Sequence, residues 1–83
     1  MRLDKFLQVS RLVRRRALAN SLCHAGRVVL NGRPALPAAD VRPGDVIAIE
    51  VGARRIRARV RALPTSRQAG EESVEVLEDQ ALE

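Results

Sequence analysis

The chain is poor in several residue types, and each scarcity excludes something. Phe6 is its one aromatic residue; there is no Trp and no Tyr. Phe6 falls with Leu3 and Leu7 at i, i+3, i+4, a short helical apolar stripe, and belongs to a core. No aromatic platform is left on which unstacked bases of a single strand would lie. Cys23 is the one cysteine, so there is neither an intramolecular disulfide nor a cysteine metal cluster, which fits a reducing compartment. No apolar run approaches the roughly 18 residues of a membrane span. The stretch MRLDKFLQ lacks the apolar core of a signal peptide, so a cytoplasmic location away from membranes is expected.

Catalytic patterns are also missing. Asp4 and Asp40 are the sole acids before Asp45, and no two carboxylates are spaced for acid–base work. Asp4 reads as support for its helix or as an orienting partner for a nearby arginine. Cys23 and His24 are adjacent on a helix, where two side chains do not readily face each other, and His24 near a helix C-terminus is ordinary capping electrostatics. Neither the dinucleotide nor the P-loop glycine pattern occurs. No catalytic residue, no metal ligand set and no cofactor are expected; the chain does not read as an enzyme.

What the chain has in excess is positive charge. Its net charge is +5, spread unevenly: residues 1–42 carry +7, residues 43–69 carry +4, and residues 70–83 carry −6 with no base at all. Fourteen of the fifteen bases are Arg, whose guanidinium forks onto phosphate. A body this basic suits a polyanion. Without aromatic platforms, recognition rests on phosphates and shape, which points to structured RNA.

With 83 residues the chain makes one small domain with a modest core. A first short helix carries Leu3, Phe6 and Leu7, with Asp4 in its first turn. A second helix is expected over Arg14 to Ala25, its inner face marked by Leu18, Leu22 and Ala25. Gly26 stands where a left-handed C′ glycine ends a helix. The pattern then changes to period two. RVVL, the Asn31-Gly32 turn and RPAL read as a hairpin. Arg42-Pro43-Gly44-Asp45 is a second turn into the strand VIAIEV. Gly52-Ala53 breaks before RRIRARVRAL, where Ile56, Ala58, Val60 and Ala62 alternate with Arg55, Arg57, Arg59 and Arg61. Pro64 to Ser73 reads as a polar loop, Val74 to Leu77 as a short last strand, and EDQALE as a frayed acidic tail. The expected architecture is α+β: two short N-terminal helices, then a small twisted antiparallel sheet of three to five strands. Residues 1–63 form the domain proper, and 64–83 the loop, last strand and tail.

Two arginine groups carry the functional question. Arg14, Arg15 and Arg16 stand at the expected start of the second helix, where the dipole disfavours cations by roughly 0.3–1 kcal/mol each. A bound phosphate would reverse that sign, since helix N–H groups and guanidiniums attract the same anion. Arg2, Lys5 and Arg11 lie on the neighbouring helix and turn, and are expected to converge with them. The row Arg55, Arg57, Arg59 and Arg61 leaves two readings open: a solvated strand face that deters sheet association, or an auxiliary surface for a nucleic-acid backbone.

RLDKFL (2–7), SRLVRRRALA (10–19), AGRVVLNG (25–32) and VRPGDVIAIEV (41–51), in this order and spacing, resemble the S4 RNA-binding domain, also called the alpha-L fold. The length and MRLDKFLQVSRLVRRRALA are similar to the RqcP (YabO) family, free-standing S4-domain proteins of bacterial ribosome-associated quality control. The resemblance implies a protein that binds large ribosomal subunits still holding peptidyl-tRNA. It would sit between large-subunit rRNA and the tRNA, steady that tRNA in the P site, and support alanine tailing by its partner RqcH. It would act as a monomer and catalyse no bond itself. The family's RNA-contacting arginines fall on Arg2 and Arg16, with Arg11, Arg14 and Arg15 as helpers in the same matching segment. Gln8 stands where relatives often have a basic residue, so one backbone contact is expected to be missing. The alternatives are a general structured-RNA binder, or a heat-shock ribosome-binding factor of the related S4 branch. A pseudouridine-synthase-type enzyme would need a further catalytic domain, and a helix-turn-helix protein would prefer duplex DNA.

Overall fold

The computed structural model describes residues 1–64 and 70–81. The apolar stripe of the N-terminus forms α1 (Leu3–Val9), with Leu3, Phe6 and Leu7 fully buried. The second helix, α2, is shorter than its sequence suggests and spans Arg16–His24. Arg15 is its N-cap in extended conformation (φ −131°, ψ 141°), and Arg14 lies before it. The delay has a packing cause. Val13 is buried in the core, and its N–H donates to the Leu7 carbonyl at 3.0 Å, which ties the connection against α1.

The inner face of α2 also differs from the expected one. Ala19, Leu22 and Cys23 are buried, whereas Leu18 is 42% exposed and Ala25 is exposed. Both sets have helical spacing. The set with the small side chains won because Ala19 and Cys23 let the helix sit close to the core. Burial pushes the Cys23 thiol pKa up, which leaves it a poor nucleophile. At the C-terminus, Gly26 (φ +74°) donates to Cys23 O at 3.1 Å and Arg27 to Leu22 O at 2.9 Å. These two bonds make a Schellman motif. A Cβ at Gly26 would meet no atom within 4 Å, so Gly26→Val is opposed by the strain of a β-branched residue at positive φ. We expect a loss of roughly 1–2 kcal/mol in urea unfolding, and an unchanged midpoint would contradict the left-handed assignment.

The connection after α1 turns at Arg11, which adopts φ +64° and donates its N–H to Gln8 O at 3.0 Å. That conformation favours Gly or Asn. Arg11→Gly should therefore stabilise the fold by up to about 1 kcal/mol, read as a higher melting temperature. A lower one would mean that the Arg11 side chain contributes more than its backbone costs.

The remaining chain forms β1 (Val28–Leu30), β2 (Arg33–Pro34), β3 (Val46–Val51), β4 (Arg54–Val60) and β5 (Val74–Ala81), with a 3₁₀ turn at Gly70–Ser73. They make one open antiparallel sheet in the order β2-β1-β3-β4-β5. Asn31 (φ +52°) and Gly32 (φ +84°) form the expected two-residue hairpin turn. Asn31 does more than turn the chain: its amide donates to Asp45 and accepts from the Val46 N–H, joining the first turn to the second. Register aligns Val28, Ile49 and Ile56 across three strands, and Ile47 with Ala58. These residues are buried under the helices, with Val60, Val74 and Val41 completing the core.

β5 departs most from the sequence expectation. It runs to Ala81, four residues beyond Leu77, so Glu78 to Ala81 are strand and not a frayed tail. Its acids lie opposite the arginines of β4: Glu75 pairs in register with Arg59, and Glu78 with Arg57. Opposite charges directly across a strand pair stabilise it by roughly 0.2–1 kcal/mol, which holds a segment of low β-propensity in the sheet. Half of the expected polar loop (65–69) and the last two residues lie outside the described residues.

Candidate RNA-binding surface

Short helices need partners for their first N–H groups, and α1 finds them in a way that builds the site. Leu3 N–H donates to Ala39 O at 2.8 Å and Asp4 N–H to Pro37 O at 3.1 Å. Lys5 N–H donates to the side chain of Asp4 itself, at 2.8 Å to Oδ1. The loop 37–39 therefore caps α1 and presses Asp4 inward, where it is 2% exposed.

A buried carboxylate must be paired. Arg2 forks onto Asp4, Nε to Oδ1 at 3.1 Å and Nη2 to Oδ2 at 3.2 Å. Arg16 Nε approaches Oδ2 at 3.4 Å from the start of α2. The hydrogen bond from Arg2 is the chief reason that the Asp4 pKa falls to about 2; burial opposes it, and Lys5 N–H, Arg16 and Asn20 assist. The same bond raises the Arg2 pKa. Both guanidiniums remain open to water, with side chains 50% and 45% exposed. One buried anion thus fixes two surface cations from different helices, and their remaining N–H donors are available to a second acceptor.

This arrangement corrects the electrostatics expected at α2. Of the three consecutive arginines, only Arg16 lies within the helix, and Asp4 is the carboxylate beside it. Arg16 is therefore compensated within the fold. The α2 start still has no side-chain cap at Arg15 and no acid in its first turn. Arg14 and Arg15 are exposed immediately before it, and Lys5 is exposed one residue after Asp4. The structure brings Arg2 and Arg16 together directly. Lys5, Arg14 and Arg15 flank them in sequence, and Arg11 stands at the opposite end of α1, about 10 Å along the helix axis. A second ionic cluster closes the N-terminus: the Met1 ammonium and Arg42 Nε hold Asp40 at 3.0 and 3.1 Å, and lower its pKa.

Chemically, the helical end offers oriented guanidiniums without a base, nucleophile or ligand set beside them. Among the described residues, no group of three or more His, Cys, Asp and Glu is placed to hold a metal ion. Nor is any helix there long and apolar enough to cross a membrane.

Comparison with known proteins agrees with this geometry. Residues 1–47 match the S4 domain family. The RQC P-site tRNA stabilizing factor of Bacillus subtilis is 44% identical over 63 residues, covering 76% of this chain and 73% of that one. The Listeria innocua protein of the same name is 41% identical over 63 residues, 76% and 68% of the two chains. The Helicobacter pylori J99 protein is 53% identical over 49 residues, 59% and 58%. Among solved structures, trimeric Heat Shock Protein 15 of Vibrio cholerae superposes with a TM-score of 0.83 at 25% identity, over 92% of this chain and 80% of that one. The solution structure of the hypothetical protein HP1423 gives 0.76 at 31% identity, over 96% and 100%. The chain belongs to the S4 domain family and, within it, to the RQC P-site tRNA stabilizing factors.

Proposed function

We propose that the chain binds structured RNA through the Arg2–Asp4–Arg16 node and the flanking Lys5, Arg11, Arg14 and Arg15. This surface docks it on large ribosomal subunits that still hold peptidyl-tRNA. It contacts large-subunit rRNA and the tRNA there, and steadies the tRNA in the P site. It acts in the cytoplasm, as a monomer, and supports the addition of C-terminal alanines by RqcH without forming a bond itself. One observation carries the reading: a buried carboxylate that fixes two half-exposed arginines, with Lys5, Arg14 and Arg15 exposed beside them in sequence. The name that the curated relatives share supports the ribosomal setting.

Large subunits bearing peptidyl-tRNA, mixed with RqcH and charged alanyl-tRNA, supply the assay. Alanine addition should depend on this protein. If addition proceeds equally without it while the protein still binds the subunit, the general RNA-binding or heat-shock reading replaces the quality-control one.

A further inference from the structure

The arginine row of β4 is as open to solvent as the helical end, yet it is electrostatically different. Arg59 Nη1 lies 3.1 Å from Glu75 Oε1, Arg57 Nε 3.8 Å from Glu78 Oε1, and Arg55 Nη2 2.9 Å from Glu50 Oε1. On the opposite face of the strand, at the exposed end of the Ile56 and Ala58 row, Arg54 forks onto Asp79 through Nε and Nη2. The four arginine side chains are about half exposed, so a phosphate would reach them sterically. Their carboxylate partners are exposed nearly as much, at 37–49%. A phosphate approaching any of these four would meet a negative charge beside the positive one; Arg61, beyond the end of β4, takes no part in this pairing.

At the helical end the compensating anion, Asp4, has a side chain only 3% exposed and lies behind its arginines. There, the carboxylate that pairs Arg2 and Arg16 is out of a phosphate's reach, and the exposed Asp40 opposite Arg2 is already held by the Met1 ammonium and Arg42. The decisive difference between the two arginine surfaces is where the counterion stands.

We propose that β5 is a specificity element: Glu75, Glu78 and Asp79 serve as built-in counterions that deny Arg54, Arg57 and Arg59 to RNA and confine RNA to the helical end. This explains why the strongly acidic segment is strand and not tail. Of the row Arg55, Arg57, Arg59 and Arg61, the first three then read as a compensated face, while Arg61 lies beyond the end of β4. The inference rests on the RNA-binding part of the proposed function and is independent of the ribosome.

The test uses an unrelated RNA stem-loop as probe, with binding followed by fluorescence anisotropy across salt. The variant Glu75→Gln/Glu78→Gln/Asp79→Asn should bind the stem-loop roughly tenfold more tightly at low salt, and the slope of log affinity against log salt should steepen by about two to three. Adding Arg54→Gln/Arg57→Gln/Arg59→Gln to it should return the affinity to within about twofold of the parent, and the arginine variant alone should also match the parent to about twofold. An acid-neutralised variant that melts normally and binds like the parent overturns the proposal. So does a gain that survives removal of the arginines, because bulk charge would then explain it. If the acid-neutralised variant fails to fold, the arginine variant alone decides: a loss above roughly tenfold means the row already contacts RNA. A parent that binds no stem-loop even at low salt overturns both this proposal and the RNA-binding reading beneath it.

Discussion

Raising salt from about 50 to about 200 mM should weaken binding to structured RNA by roughly a thousandfold, if all six cations of the helical end meet phosphates. Each neutralised phosphate releases condensed counterions, and the loss compounds with the number of contacts. The six are Arg2, Lys5, Arg11, Arg14, Arg15 and Arg16, all exposed. The arginines of β4 are expected to add nothing, since their carboxylate partners stand exposed beside them, whereas Asp4 is buried behind Arg2 and Arg16. The slope of log affinity against log salt is therefore a count: near −5 for the helical end alone, and steeper by about three if β4 contributes. A nearly salt-independent affinity would remove the phosphate argument altogether.

Asp4→Asn should lower stability by about 2 kcal/mol at neutral pH and, despite raising the net charge, weaken RNA binding roughly fivefold to tenfold. The stability figure follows from the Asp4 pKa, depressed to about 2 by Arg2 before any other cause, and is kept modest because both arginines are half open to water. The sign is fixed by linkage. A carboxylate with a folded pKa below its unfolded value of about 4 contributes stability above that value, and loses it as pH falls from about 4 to about 2. Parent and variant stability curves should thus converge across that window. Asparagine keeps an acceptor for the Lys5 N–H, so the cap is largely spared and the charge is isolated. The affinity change separates two ideas. If charge alone drives binding, removing an acid tightens it. If Asp4 positions Arg2 and Arg16, removing it frees two long side chains that must then be ordered on binding, and affinity falls.

The local signals of the fold were legible. The Asn31-Gly32 turn, the glycine stop at Gly26 and the strand VIAIEV all form as their residues dictate. The boundary and inner face of α2 were not: the start is delayed by the burial of Val13, and Leu18 and Ala19 serve equally well as period markers until the helix packs on the core through Ala19 and Cys23. Asp4 was readable as an arginine-orienting acid. Its second partner, Arg16, is non-local and became visible only when α2 docked on α1. The acids of β5 look like a solvated tail in isolation; opposite Arg57 and Arg59 they are half of a strand pair. What failed to show in the sequence was in each case a contact between distant segments.

The central claim is that the helical end, and not the sheet, meets the ribosome. The most direct measurement is co-sedimentation with large subunits carrying peptidyl-tRNA. Because removing both arginines would strand the buried carboxylate, the informative variant is Arg2→Ala/Asp4→Asn/Arg16→Ala, compared with the parent and with Arg54→Gln/Arg57→Gln/Arg59→Gln. The parent and the sheet variant should travel with the large subunit, while the helical-end variant, folded by circular dichroism, stays at the top of the gradient. A folded helical-end variant that sediments with the subunit as the parent does, or a sheet variant that is lost from it, would contradict the account.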